Sequence, residues 1–326
     1  MFKRMLSVCT LACLTLGAAS PALAQSAYPQ RPVQLVVTSP PGSALDIFGR
    51  VLAQALGKLW GQTVYVDSRA GAGGTIAAAA VAKAPADGYT LFLINEQILV
   101  ANRFTYRNLP YDPDTTFAPI SRLIETDQLI VANQASGVKS LADVVELARA
   151  DPQKLAYGMW SKGSSPNLVF EQLKQAAKVG ILAVPYRGVG PVMLALQSDE
   201  VQLSVMSAPT GEPILSTGKA VPLAVASDRR SELYPDVPTT AELGYPQLRA
   251  TTWYGLLARA DTPAEILAKV ERDVRAVLQD PGFMERNAEL RGWRVVASSA
   301  EAFRASVAEQ VPQIREMMLT AAITPE

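Results

Sequence analysis

Four short loops in the sequence have the residue types that let a protein backbone hold an anion. They are residues 40–46, 71–75, 161–167 and 186–191, and each combines Gly, Ser or Pro with the start of a helical pattern. Small residues let backbone N–H groups approach a ligand closely, and the free N–H groups and dipole of a helix N-terminus favour negative charge. The four loops therefore predict a binding site for an anionic ligand, most simply a carboxylate.

A structural explanation of the same loops stays open, because Gly and Ser are also ordinary turn and cap residues. Ser43 and Asp46 fit a capping box, in which a Ser precedes an acidic residue by three positions. Ser140 and Asp143 fit the same pattern elsewhere in the chain. Capping is the better explanation for any one loop alone, whereas four such loops in two similar units favour a shared cleft.

Other chemistries find little support in the sequence. The chain has no His, which excludes a Ser-His-Asp triad, His-bearing zinc sites and acid–base catalysis by His. Ile76 stands where a dinucleotide-binding fingerprint has its third Gly. We therefore expect no metal and no cofactor. The enzymatic alternative, a hydrolase or isomerase that uses Ser164 or Asp46, has no evident base for the serine.

Short apolar runs alternate with helical periodicity along the chain, and this alternation would position the four loops. From Val33 the order is strand, helix, strand, helix, strand, and it repeats after Leu129. The pattern predicts two α/β units, each with a mainly parallel sheet. In such a sheet the strands lead into loops at one edge, where ligands bind. The last part of the chain has one strand and three helical patterns, which we expect to pack on an earlier unit.

Length and charge narrow the class of protein further. The chain has 326 residues, enough for about two domains, and its 30 Lys and Arg residues balance its 30 Asp and Glu residues. It has no basic run of the kind that follows a phosphate backbone, which argues against nucleic acid as a partner.

The N-terminus has the three parts of a secretory signal peptide. Lys3 and Arg4 precede an apolar stretch at residues 6–16, and an Ala-Leu-Ala cleavage site follows at 22–24. We expect residues 1–24 to be removed, which leaves a soluble protein in the periplasm. Both Cys residues lie in this segment, so we expect neither a disulfide nor thiol chemistry in the mature chain.

Several motifs, taken in order, resemble those of a known family. The motifs are YPQRPVQLVV at residues 28–37, PPGSALD at 40–46, VYVDSRAGAGGTIAAAAVAKAPADGYTLFL at 64–93, VPYRGVGP at 184–191, PDVPTTAELG at 235–244 and WYGLLA at 253–258. In these segments the chain is similar to the Bug-type extracytoplasmic solute receptors, the substrate-binding component of tripartite tricarboxylate transporters. The resemblance covers nearly the whole mature chain.

The resemblance implies a fold and a function. The fold is an α/β two-domain periplasmic binding protein fold, type II-like, with the ligand cleft between the domains. Domain one would hold residues 27–124 and 250–326, and domain two residues 125–249. Such a receptor captures a small organic acid and delivers it to membrane permease subunits, and we expect it to be a monomer. A receptor of the same fold that serves a signalling partner instead stays an open alternative.

The resemblance also assigns the residues of the cleft. It places the ligand contacts of domain one at Pro41, Gly42, Ser43, Ala44, Asp46, Gly73, Gly74 and Thr75. It places those of domain two at Ser164, Ser165, Asn167, Arg187, Gly188 and Ser207. Where the family commonly has an aromatic residue, a His and an Asp, this chain has Ser39, Asn167 and Ser207. These departures concern the far end of the ligand, and the loss of an acid at Ser207 would admit a second carboxylate there.

Overall fold

A computed structural model of the protein describes residues 28–250, 252–288 and 292–325. The predicted signal peptide at residues 1–24 lies outside this part of the chain. The strands are β1 Val33–Val37, β2 Val64–Ser68, β3 Thr90–Asn95, β4 Phe117–Thr126, β5 Gln128–Asn133, β6 Ala156–Met159, β7 Leu182–Pro185, β8 Leu203–Ser207, β9 Ala220–Val225, β10 Thr252–Arg259 and β11 Trp293–Val295. The α-helices are α1 Ala44–Trp60, α2 Thr75–Ala82, α3 Asn102–Thr105, α4 Leu141–Ala150, α5 Ser165–Ala177, α6 Val189–Gln197, α7 Ala208–Leu215, α8 Ala264–Leu278, α9 Pro281–Phe283 and α10 Ala300–Thr320.

The local sequence explains where α1, the first helix beside the cleft, begins and ends. Phe48, Leu52 and Leu56 recur at helical spacing and are fully buried in the core of the first sheet. The Ser43 side chain accepts a hydrogen bond from the Asp46 N–H, which caps the N-terminus. Gly61 follows the helix in the left-handed conformation, with φ 63°.

The first sheet has six strands in the order β11-β4-β10-β3-β1-β2. Its β1 strand pairs in parallel with both β2 and β3, as the strand-helix alternation predicts. The β10 strand runs antiparallel to β3 and β4, and β11 runs antiparallel to β4. The expectation of a mainly parallel sheet is therefore wrong for this unit, which is mixed.

The second sheet has five strands in the order β7-β6-β8-β5-β9, and it is mixed as well. Its β6 strand is parallel to β7 and β8, whereas β5 is antiparallel to β8 and β9. Only Asp127 separates β4 from β5, and residues 226–250 lead back from β9 toward β10. These two segments connect the sheets, and the domain limits at residues 124 and 250 stay a prediction.

The connections between the sheets explain the mixed strand directions. The chain leaves the first sheet at the end of β4 and returns to it at the start of β10. Both of these points must lie at the edge that faces the second sheet, so β4 and β10 run in opposite directions. Tyr254, near the start of β10, pairs with Asn95 at the end of β3. The parallel strands of the first sheet therefore also end at the edge that faces the second sheet.

The C-terminal segment packs on the first sheet. Val270 and Val274 of α8 are fully buried in the same core as Phe48. Phe303 of α10 packs edge-on against Trp253, with ring centroids 5.2 Å apart. In addition, no helix among the described residues is long and apolar enough to cross a membrane.

Candidate functional site

A cavity of about 650 Å³ lies between the two sheets, at the edge where their parallel strands end. The first sheet lines it with Thr38, Ser39, Pro40, Ser43, Ala44 and Leu45 after β1, residues 70–74 after β2, and Asn95, Glu96 and Gln97 at the end of β3. The second sheet lines it with Trp160, Ser161 and Ser165 after β6, residues 186–189 after β7, and Met206, Ser207 and Thr210 at the end of β8. A cavity of this size holds a small organic molecule.

Eight of the fourteen residues predicted to contact the ligand line this cavity. They are Ser43, Ala44, Gly73, Gly74, Ser165, Arg187, Gly188 and Ser207. Pro41 and Gly42 line an adjoining cavity of about 920 Å³, which shares Ser43 and Arg187 with the first. All four predicted loops therefore meet at one cleft, and contact of each residue with a ligand stays a prediction.

Asp46 is placed differently, because its carboxylate is turned into the protein and is about 1% exposed. It accepts hydrogen bonds from the Gly42 N–H at 2.9 Å, the Ser68 hydroxyl at 2.6 Å and the Arg50 Nε at 2.9 Å. Burial alone would raise the pKa of the Asp46 carboxyl, but the hydrogen bonds from Arg50, Ser68 and Gly42 outweigh it and lower the pKa. Asp46 thus holds the loop that lines the cleft.

Thr75, Ser164 and Asn167 also use their polar atoms inside the protein. The Thr75 hydroxyl donates to the Ala72 carbonyl at 2.9 Å, and the Ser164 hydroxyl donates to the Ser161 carbonyl at 2.6 Å. The Asn167 side chain accepts from the Gly163 N–H at 3.0 Å and donates to the hydroxyl of Tyr157 at 3.1 Å. These three side chains therefore brace two loops of the cleft.

The glycine loop between β2 and α2 brings bare backbone to the cavity. Gly74 has φ 85°, a conformation that side chains disfavour. A Cβ atom at Gly74 would lie 2.8 Å from Cδ1 of Ile98, closer than real Cβ contacts allow. The position therefore requires Gly, and the loop can present its peptide groups to a ligand at close range.

Sequence reasoning missed a polar segment at the end of β3. Asn95, Glu96 and Gln97 line the cavity one after another, and no Gly, Ser or Pro marks them. The signal that could have found them is the rule that ligands bind at the carboxyl ends of parallel strands. The apolar run before Asn95 ends in three polar residues at that very point. Tyr254, opposite Asn95 on β10, also lines the cavity.

Glu96 is the sole acidic residue among the described residues that line the cavity. Burial raises the pKa of its carboxyl from 4.5 to about 7, although backbone N–H groups of Glu96 and Trp253 and the charge of Arg122 act in the opposite direction. Its Oε2 atom is buried and has no hydrogen-bond partner within the part of the chain that the structure describes. An acid in this state is a candidate functional group.

Arg187 is the sole basic residue among the described residues that line the cavity. It extends from the loop after β7, is exposed to solvent, and forms no hydrogen bond or ion pair with another described residue. A guanidinium group presents several N–H donors in a plane that matches a carboxylate. The second sheet thus offers the cleft one uncommitted positive charge. The described ranges contain no cluster of three or more His, Cys, Asp or Glu residues placed to hold a metal ion.

The structure has two α/β units joined by two connecting segments, and loops at the strand ends of both units line the cleft between them. This arrangement is that of the periplasmic binding proteins. The chain belongs to the tripartite tricarboxylate transporter receptor family, since the model "Tripartite tricarboxylate transporter family receptor" matches residues 48–321. The resemblance seen in the sequence motifs is thereby confirmed.

Individual relatives agree with this assignment. Protein BugT of Bordetella pertussis is 32% identical over 309 residues, which cover 94% of each chain. The solved structure of R. palustris Rpa4515 with adipate has a TM-score of 0.88 and 33% identity, and it covers 92% of this chain and 100% of its own. MatC (Rpa3494) from Rhodopseudomonas palustris with bound malate has a TM-score of 0.82 and 28% identity. The match covers 89% of this chain and 99% of the MatC chain. These likenesses confirm the α/β periplasmic binding protein fold and the role of solute-binding receptor.

Proposed function

We propose that this receptor captures a small organic acid in the cleft between its two sheets and delivers it to the membrane permease of a tripartite transporter. The observation that carries the proposal is the cavity itself. It brings together small-residue loops from the first sheet and the uncommitted cation Arg187 from the second. Export would depend on the signal peptide at residues 1–24, so the mature chain would begin at Gln25.

The two walls of the cleft divide the task of recognition. Residues 40–44 and 71–75 lead into the N-termini of α1 and α2, where free N–H groups favour a carboxylate. Arg187 reaches the same cavity from the other side, so a ligand with a second anionic group would be held from both sheets. Closure of the cleft would then be driven by contacts that exist only when both walls touch the ligand.

The ligands of two structural neighbours support this chemistry. Rpa4515 was solved with adipate and MatC with malate, and both molecules are dicarboxylates. The cavity of about 650 Å³ has room for acids of this size.

A thermal-shift screen of the mature, ligand-stripped protein tests the proposal. A ligand at about 100 times its dissociation constant adds about 2.7 kcal/mol of stability, which raises the melting temperature by several degrees. We expect a hit among mono-, di- and tricarboxylates, and we expect the acid to be recovered unchanged after incubation. A protein that responds to none of these acids, or that converts its ligand, would contradict the proposal.

Two variants of one residue provide the matched control. Ser43→Trp loses the helix cap and also fills the cleft, whereas Ser43→Ala loses the cap alone, at a cost of about 1 kcal/mol. We expect Ser43→Trp to fold without binding the acid and Ser43→Ala to bind it. If Ser43→Trp kept its affinity, the loop after β1 would not belong to the binding site.

A further inference from the structure

A small, mostly apolar contact joins the two units beside the cavity. Its members are Ala101 and Thr105 after β3, Met318 near the end of α10, and Gly163 and Leu168 around the start of α5. All five residues are buried, and none of them lines the cavity. We call this set the α10–α5 contact. It joins the two units without reaching the place where a ligand would lie.

Gly163 lets the second unit approach α3 and α10 closely. A Cβ atom at this position would lie 2.7 Å from Cε of Met318 and 2.9 Å from Cγ2 of Thr105, which is too close for a real side chain. The φ of Gly163 is 72°, a conformation that also favours glycine. Bare backbone of the second unit therefore packs directly on side chains of the first.

The α10–α5 contact lies in the same gap as the cavity. Gln97 and Ser161 belong to the two segments that form the contact, and both line the cavity. The Gln97 amide donates a hydrogen bond across the gap to the hydroxyl of Ser161 at 3.0 Å. The walls are also close elsewhere, since Cγ of Pro40 lies 3.9 Å from the position of a Cβ atom at Gly188. The walls of the cleft thus meet in this structure, and a rotation that opened the cleft would separate the two halves of the contact.

One polar atom weakens the α10–α5 contact. Oγ1 of Thr105 is buried and has no hydrogen-bond partner among residues 28–250, 252–288 and 292–325. A buried hydroxyl without a partner has given up its hydrogen bonds to water, which costs free energy. Opening of the cleft would return this hydroxyl to water. The apolar atoms of the contact therefore favour the closed form, and the hydroxyl of Thr105 opposes it.

We propose that the α10–α5 contact stabilises the closed form of the receptor and thereby sets its affinity without touching the ligand. An acid that is held by both walls binds to the closed form, so the measured affinity depends on how readily the cleft closes. Met318 and Thr105 are then positioning residues that act through the distance between the walls. The inference rests on the proposed function, since it requires a ligand that both walls hold.

Two variants should change the affinity in opposite directions. Met318→Ala removes buried apolar atoms from the contact, so calorimetric titration with adipate and with malate should show about tenfold weaker binding. Thr105→Val replaces the unpaired hydroxyl by a methyl group, so the same titrations should show about threefold tighter binding. The ratio of the two affinities should stay the same in both variants, because neither residue lines the cavity.

Leu319→Ala is the matched control, since it shortens a side chain in the same turn of α10 that is 65% exposed. It should bind both acids as the wild type does. Met318→Leu keeps most of the apolar volume and should retain the wild-type affinity. Affinities that stay unchanged in Met318→Ala and Thr105→Val, or that move in the same direction, would overturn the inference.

A measurement without any acid separates closure from binding. A chain that begins at Gln25 has no Cys, so fluorescent labels can be attached through Lys58→Cys in α1 and Glu146→Cys in α4, two exposed positions on different units. Energy transfer between the labels then reports the open and closed populations of the folded protein. Met318→Ala should lower the closed population and Thr105→Val should raise it, which a general loss of stability would not do.

Populations that are the same in the wild type and in both variants would overturn the inference and leave the receptor function intact. Failure of every carboxylate to bind would overturn the proposed function. In that case the label distances would still decide whether the α10–α5 contact stabilises the closed form.

Discussion

Replacement of Glu96 by Gln is expected to stabilise the ligand-free protein at pH 8 and to change it little at pH 5. Burial raises the pKa of the Glu96 carboxyl from 4.5 to about 7, so between these values the native state binds a proton that the unfolded chain has released. The stability that this proton contributes is fully present below pH 4.5 and is lost as the pH rises through 7. The side-chain amide of the Glu96→Gln variant would remain neutral at every pH, so the variant should not show this loss.

The size of the effect follows from the same two pKa values. A shift from 4.5 to about 7 corresponds to roughly 3 kcal/mol when the carboxyl is fully ionised. About 2.5 kcal/mol of this falls between pH 5 and pH 8, and the partial exposure of Glu96 reduces it toward about 1 kcal/mol. In a chain of this length, about 1 to 2 kcal/mol moves the melting temperature by about 2 to 3 °C.

Urea unfolding at pH 5, 6, 7 and 8 measures this difference directly. The chain has no His, so few other side chains titrate in this range and the slope of stability against pH reports mainly on Glu96. Glu146→Gln, which removes one negative charge from the exposed surface of α4, should follow the wild-type curve at every pH. If the curves of Glu96→Gln and the wild type ran parallel from pH 5 to pH 8, the carboxyl would not be desolvated in the native state, and the reasoning would be refuted.

Three further changes separate structural from binding roles. Asp46→Asn should lower the free energy of unfolding, measured in urea, by about 1 to 3 kcal/mol, because one carboxylate oxygen that accepts hydrogen bonds becomes an amide nitrogen that cannot accept them. Unchanged stability together with lost affinity would instead assign Asp46 to ligand binding. Arg187→Gln should weaken the binding of a dicarboxylate about tenfold or more in calorimetric titrations, with no change in the melting temperature. If the variant bound the dicarboxylate as tightly as the wild type does, Arg187 would not belong to the binding site. Gly255→Ala should destabilise the protein by about 1 to 3 kcal/mol, because its Cβ would overlap the ring of Phe303, and a neutral effect would contradict that packing.

The meeting of the four loops could be predicted because it depends on local order. Each loop follows a strand that has a parallel neighbour, and parallel strands end at the same edge, so the alternation of strands and helices was enough. The directions of β4 and β10 could not be predicted in this way. They depend on where the chain passes from one sheet to the other, and no local pattern of apolar residues encodes that passage.

Asp46 and Glu96 show why the role of a single residue was harder to predict than the site. Both are acids that follow a strand of the first sheet, and the family resemblance assigned Asp46 to the cleft by its position in the motif at residues 40–46. In the folded protein Asp46 meets donors from Ser68, Arg50 and Gly42, which lower its pKa, whereas Oε2 of Glu96 meets none among the described residues and burial raises its pKa. Ser68 comes from a different strand, so the difference depends on which donors the tertiary fold brings to each carboxylate. A carboxylate that receives several hydrogen bonds stays ionised and stabilises a loop, whereas a buried carboxyl with an unpaired oxygen is held at a raised pKa.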